Sequence, residues 1–128
     1  MPDKRLANCE GVVVLGMHRS GTSALTSMFV ACGYYVGREQ DLLPAHESNP
    51  NGHWENTHLL NRHEEMLQRL GGTWLEPPPV ARQLAGAEWA IPILQQEVTR
   101  VLAEAGTAPI AIKDPRIAGL LPLWREVI

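Results

Sequence analysis

VVVLGMHRSGTS, residues 12–23, runs four apolar residues into a glycine and brings a second glycine five positions later. The run 11–15 is short, continuously apolar and valine-rich, the pattern of a strand buried on both faces of a parallel sheet. Beyond the second glycine, Leu25, Met28 and Phe29 recur at helical spacing over about 21–31, with Gly33 as the stop. Strand, glycine-bounded octet and helix in this order predict an anion-binding turn. Glycines let backbone N–H groups converge, and the helix offers unpaired N–H groups and the positive end of its dipole. The octet Gly16-Met17-His18-Arg19-Ser20-Gly21-Thr22-Ser23 keeps the spacing of G-x-x-x-x-G-K-[ST], but Thr22 stands in the lysine place. Arg19 is then the nearest fixed cation, and Thr22 and Ser23 add hydroxyl donors. Mg-nucleoside triphosphate chemistry loses the group that bridges the outer phosphates, so the loop suits a compact phosphate or sulfate group. His18 is either a further donor to that anion or incidental, and the octet taken alone is also compatible with a plain tight turn.

Composition narrows the classes. A chain of 128 residues predicts one domain, short for an α/β enzyme with an open sheet. A net charge of -3 without a basic tract gives no reason to expect a nucleic-acid partner. Cys9 and Cys32 form no C-x-x-C pair, which argues against a disulfide scaffold or zinc site and for a reducing compartment. MPDKRLANCEG lacks the apolar core of a signal peptide, and no apolar run approaches the roughly 20 residues of a membrane span, so the expected location is cytoplasmic.

Residues 34–54 are rich in Gly, Pro, Asn and Asp, with HESNPNGHW the clearest loop, and predict a long connection of functional type. Leu59, Leu60, His63, Met66, Leu67 and Leu70 predict a helix over 56–70, ended by Gly71-Gly72. Ile91, Leu94, Val98, Val101 and Leu102 predict another over 87–105, ended by Gly106, with Pro92 in its first turn or dividing it. Pro77-Pro78-Pro79 reads as a stiff, extended linker. A second strand is expected over 109–112, followed by Lys113-Asp114-Pro115-Arg116 and a helical segment through 120–128. Two apolar strands separated by helices imply a right-handed parallel crossover, which brings Arg19 and Lys113 to one crevice at the carboxyl edge of the sheet.

Three segments, GMHRSGTSAL at 16–25, NPNGHWEN at 49–56 and IKDPRIAGLLPLW at 112–124, resemble the sulfotransferases that use 3'-phosphoadenosine 5'-phosphosulfate, bacterial-type members in particular. Lys-Asp-Pro in the third also resembles the tyrosylprotein sulfotransferases. The resemblance implies an α/β, P-loop-like three-layer fold, a short parallel sheet flanked by helices, as one domain over 1–128. It implies the nucleotide as sulfuryl donor, bound by Gly16, His18, Arg19, Ser20, Gly21, Thr22 and Ser23, and transfer to a hydroxyl or amine of a small-molecule or glycan acceptor. Arg19, Glu55 and Lys113 are the implied catalytic residues: Arg19 and Lys113 against charge developing on the leaving group, Glu55 as general base.

Sulfuryl transfer passes in line through a loose transition state, so positioning and electrostatics dominate and no metal is required. Asp41, Glu39 and Glu47 rival Glu55, which on its own also reads as an acid complementing a helix dipole. Asp114 is expected to orient Lys113 or cap the following segment, and Arg116 to pair with it or approach ligand oxygens. No metal site is expected: among His46, His53, His58 and His63, the last two are five apart and do not share a helical face. Of Trp54, Trp74, Trp89 and Trp124, Trp54 is the expected exception to core packing, placed to stack on adenine or an acceptor ring.

The family's later strand, with an Arg and a Ser for the 3'-phosphate, has no counterpart here. The expectation is an amino-terminal half, with self-association or a partner chain completing the sheet. A P-loop kinase or NTPase, and a non-catalytic nucleotide- or anion-binding remnant, are the competing readings.

Overall fold

A computed structural model describes residues 11–47, 49–50, 52–78 and 85–128. Cys9, Ser48, Asn51 and Pro79, with the rest of 79–84 and of the N-terminal stretch, lie outside them. The elements in chain order are β1 (Gly11–Val14), α1 (Thr22–Ala31), α2 (Thr57–Arg69), α3 (Ala90–Ala105), β2 (Ile110–Lys113) and α4 (Leu121–Trp124). Two 3-10 turns, Glu39–Asp41 and Pro115–Leu120, complete them. The chain is thus mixed α/β around a two-stranded parallel sheet, in register from Gly11 opposite Ile110 to Val14 opposite Lys113. Among the described residues no helix is long and apolar enough to cross a membrane.

β2 is buried along its whole length, as its apolar sequence requires. On the side away from β1, Tyr35 joins it: the Tyr35 N–H donates to the Pro109 carbonyl at 2.8 Å, and the Ala111 N–H donates to the Tyr35 carbonyl at 2.9 Å. The expected loop 34–54 therefore opens with a strand-like residue and holds further short pieces, including antiparallel bridges Leu42 to Asn56 and His46 to Asn49. Backbone groups close to the core must be paired, and these bridges pair them.

α2 and α3 keep their predicted faces. Asn56 caps α2, its side chain accepting from the His58 and Leu59 N–H groups, and Leu59, His63, Met66 and Leu67 are buried. α3 buries Leu94, Val98 and Val101, begins three residues later than the periodicity implied, and holds Pro92 in its first turn, where a missing N–H costs nothing. Their apolar faces meet Ile110, Ile112, Ile117, Leu120, Leu123 and Trp124 in one core.

Two expectations fail. In α1, Leu25 and Met28 are 46% and 65% exposed, while Thr22 and Thr26 are buried. Thr26 satisfies its hydroxyl by donating to the Thr22 carbonyl at 2.7 Å, so a threonine stripe packs inward and the apolar stripe faces outward. Nor does 120–128 form one helix: Pro115 and Pro122 sit at the starts of the 3-10 turn and of α4, which lasts a single turn. An apolar groove of about 350 Å³ lies along β1, walled by Val12, Leu15, Leu102, Leu121 and Ile128 among others.

Leu94 is fully buried against this core. Leu94→Ala is expected to cost about 2–5 kcal/mol in urea denaturation; a loss below about 1 kcal/mol would show that α3 does not contribute as packed.

Candidate functional site

The turn between β1 and α1 is shaped by two glycines. A Cβ on Gly16 would stand 2.6 Å from Thr22 Cγ2, so only glycine lets the first helical turn fold back onto the strand end. Gly21 takes φ 88°, a left-handed conformation that glycine adopts at little cost. Between them Arg19 is also left-handed, at φ 59°, where a side chain is disfavoured. Ser20 donates its hydroxyl to the Met17 carbonyl at 2.6 Å. Gly16 and Ser20 thus shape the turn, whereas His18, Arg19, Gly21, Thr22 and Ser23 line a polar cavity of about 340 Å³. The α1 N-terminus has no capping side chain and no acid in its first turn. Its orphan N–H groups are therefore left for an acceptor from elsewhere.

Asn49, His53, Glu55 and Lys113 complete the cavity wall. The strand end and the loop thus meet as expected, with Arg19 and Lys113 on one crevice. Lys113 Nζ donates to Glu55 Oε1 at 2.8 Å and to Ser23 Oγ at 3.2 Å. Both members of this ion pair are buried, with side chains 3% and 2% exposed. Ser23 Oγ also accepts from Asn49 Nδ2 at 3.1 Å and donates to the His53 carbonyl at 3.4 Å. One hydroxyl therefore joins the turn, the long loop and β2. Glu55 follows Trp54, which is left-handed at φ 60°, and precedes the cap Asn56. Arg19 is exposed and has no ionic partner among the described residues.

Asp114 sits beneath this group and caps the 3-10 turn, as foreseen, rather than orienting Lys113. Its Oδ1 accepts from the Arg116 N–H and from Arg116 Nη1, each at 3.0 Å, and its Oδ2 lies 2.7 Å from His63 Nδ1. Burial pushes the Asp114 carboxyl up, but the hydrogen bond from His63, with the Arg116 N–H and guanidinium, outweighs it and holds it below the usual range. Arg116 also bonds Glu64 through Nε, and its Nη1 stands 3.9 Å from Glu55 Oε2.

The rivals to Glu55 lie elsewhere. Asp41 is bound by Arg38 at 2.7 Å and His58 at 3.1 Å, and the Arg38 hydrogen bond, ahead of burial, holds its carboxyl low. Glu39 and Glu47 are exposed and do not line the cavity. Trp54 packs away from the polar cavity, beside a small void with Val36, Leu59 and Val101, which corrects the expectation that it stacks on a ligand. Trp74 packs against the core, as expected, with its ring 4.1 Å from that of His18 at the cavity wall. Burial, reinforced by Arg116 and Lys113 against the pull of Glu55, lowers the His18 imidazole, so it is neutral at pH 7. Its Nε2 is buried with no hydrogen-bond partner among the described residues. Asn49 and His53 were not among the expected site residues, although both lie in the segment NPNGHWEN that carries the resemblance. No family model, curated protein or solved structure matches this chain.

Two predictions follow from these pairs. Lys113→Met leaves Glu55 buried without its partner and is expected to cost about 3–5 kcal/mol, whereas adding Glu55→Gln recovers most of the loss in a chemical-denaturation cycle. Because the native Asp114 carboxyl is depressed, its contribution to stability is complete above the unfolded value of about 4 and drains as pH falls through the native value. Asp114→Asn should flatten the acid limb of the stability profile, read as urea midpoints; an unchanged slope would assign that limb to other carboxylates.

Proposed function

We propose that this chain is a sulfotransferase domain of P-loop-like fold that uses 3'-phosphoadenosine 5'-phosphosulfate to sulfate a hydroxyl or amine of a small-molecule or glycan acceptor. The observation that carries the reading is that three segments far apart in sequence wall one cavity: Arg19 and Ser23 from the first, Asn49, His53 and Glu55 from the second, Lys113 from the third. The residues fit an anionic donor. Around Gly21 a Cβ would meet no heavy atom within 4 Å, the helix end is uncapped, and Arg19 is uncommitted among the described residues.

When bound, the nucleotide supplies a sulfuryl group on a phosphate leaving group. The turn N–H groups, the Thr22 and Ser23 hydroxyls and Arg19 would hold its 5'-phosphosulfate, Arg19 by a guanidinium that stays charged and forks onto two oxygens. Lys113 reaches Ser23 and so brings a second positive charge to the same anion. Glu55 has one oxygen taken by Lys113 and the other outside hydrogen-bond range of Arg116. That second oxygen takes the acceptor proton as the acceptor O–S or N–S bond forms. The old S–O bond breaks with its electron pair leaving on the phosphate oxygen. The groove along β1 supports self-association or a partner chain completing the sheet.

Calorimetric titration with 3'-phosphoadenosine 5'-phosphate tests the reading. Binding is expected, weakened roughly tenfold or more by Arg19→Ala, the loss of about one charge-assisted hydrogen bond. Preferential binding of Mg-ATP would favour a P-loop nucleotidase instead, and a folded chain that binds neither would sink both.

A further inference from the structure

His63 lies at the centre of α2, with no exposed surface, and has two polar contacts. Its Nε2 stands 3.0 Å from Trp124 Nε1, and its Nδ1 2.7 Å from Asp114 Oδ2. An indole N–H can only donate, so Nε2 must present its lone pair. The proton is then on Nδ1, and the neutral imidazole donates to Asp114. Trp124, itself fully buried, thereby dictates the tautomer and adds an edge-on ring contact at 5.5 Å.

Asp114, held on one oxygen by His63, grips Arg116 with the other. Glu64 grips the same guanidinium at Nε. Between these two anchors Arg116 Nη1 stops 3.9 Å from Glu55 Oε2, about 1 Å short of a hydrogen bond. Attraction between a guanidinium and a mostly buried carboxylate favours closure, ending in a charge-assisted pair. Closure would leave Glu55 with Lys113 on Oε1 and Arg116 on Oε2, and no oxygen open to a proton.

We propose that His63 is a positioning residue: acting through Asp114, it keeps Arg116 from closing on Glu55 and so leaves Oε2 free to serve as a base. The tether is a property of the fold, whereas its effect on turnover rests on the sulfotransferase reading. His63 has this task although it touches no ligand and lines no cavity wall.

The experiment compares His63→Leu, which removes the donor, His63→Asn, whose amide N–H reaches the Nδ1 place and restores it, and Glu64→Ala, which frees the second anchor from the solvent side. Each variant is checked for folding by thermal denaturation. Each is then crystallised and assayed for hydrolysis of 3'-phosphoadenosine 5'-phosphosulfate, with water as the probe acceptor. In His63→Leu and Glu64→Ala the Arg116-to-Glu55 separation should shorten to hydrogen-bond range, about 2.9 Å. Their kcat should fall roughly tenfold or more, part of the 10²–10⁴ that a general base contributes, with KM for the donor within about twofold. His63→Asn should keep both the native separation and the native kcat. A separation that stays near its native value in both disruptive variants, or a His63→Asn variant as impaired as His63→Leu, would reduce His63 to packing. Should His63→Leu fail to fold, His63→Gln takes its place, because its amide reaches the Nε2 position and leaves Asp114 Oδ2 without the Nδ1 donor, and the same separation and kcat decide. If the wild type neither binds nor turns over the donor, the sulfotransferase reading falls, while the crystallographic separation still decides the tether.

Discussion

The buried pair of Lys113 and Glu55 is the constraint on which the remaining geometry depends. An amino group and a carboxylate withdrawn from water are costly unless each finds its partner and its hydrogen bonds in good geometry. Here that requirement fixes the end of β2 against the residue that precedes the α2 cap, and through Ser23 it fixes both against the start of α1. Three parts of the chain that share no local sequence are thereby brought into register by one unit of charge. The hydrophobic core below supplies the stability. The ion pair selects which ends of the elements come together above it.

Much of this was legible in the sequence because the signals were local. A valine run against a glycine is a buried strand wherever it pairs, and the apolar stripe of α2 has its period built in. The carboxyl-edge position of Lys113 follows from parallel pairing, which two apolar strands separated by helices imply. What the sequence did not disclose depended on which neighbour an element meets. α1 carries apolar residues on one face and threonines on another, and periodicity alone favours the apolar face as core. The structure seats Thr22 and Thr26 inward because they are small enough for close approach, and because Thr26 can satisfy its hydroxyl on its own helix. Trp74 keeps its expected place against the core, whereas Trp54 does not line the polar cavity: distance along the chain from Glu55 says little about which way a ring turns. The C-terminal stretch looked helical by its leucines, but two prolines divide it.

Backbone strain gathers where the polar groups do. Arg19 and Trp54 are the non-glycine residues with left-handed backbone among the described residues, one within the turn between β1 and α1 and one directly before Glu55. Neither conformation is favoured locally, so each has to be held by its surroundings. Trp54 borders the small void with Leu59 and Val101 and directly precedes Glu55, which pairs with Lys113. The turn holds Arg19 from either side through Gly16 and Gly21. At both positions the left-handed backbone stands beside a charged side chain of the site.

Tyr35 gives the sheet a direction. By pairing with the start of β2 on the side away from β1, it makes β2 an interior strand and occupies the edge on which a neighbour would otherwise have been accepted. Among the described residues β1 has no second strand partner, and the apolar groove lies alongside. A strand added there in parallel would finish beside the Gly16–Ser23 turn, so growth of the sheet and completion of that turn's surroundings would be one event rather than two.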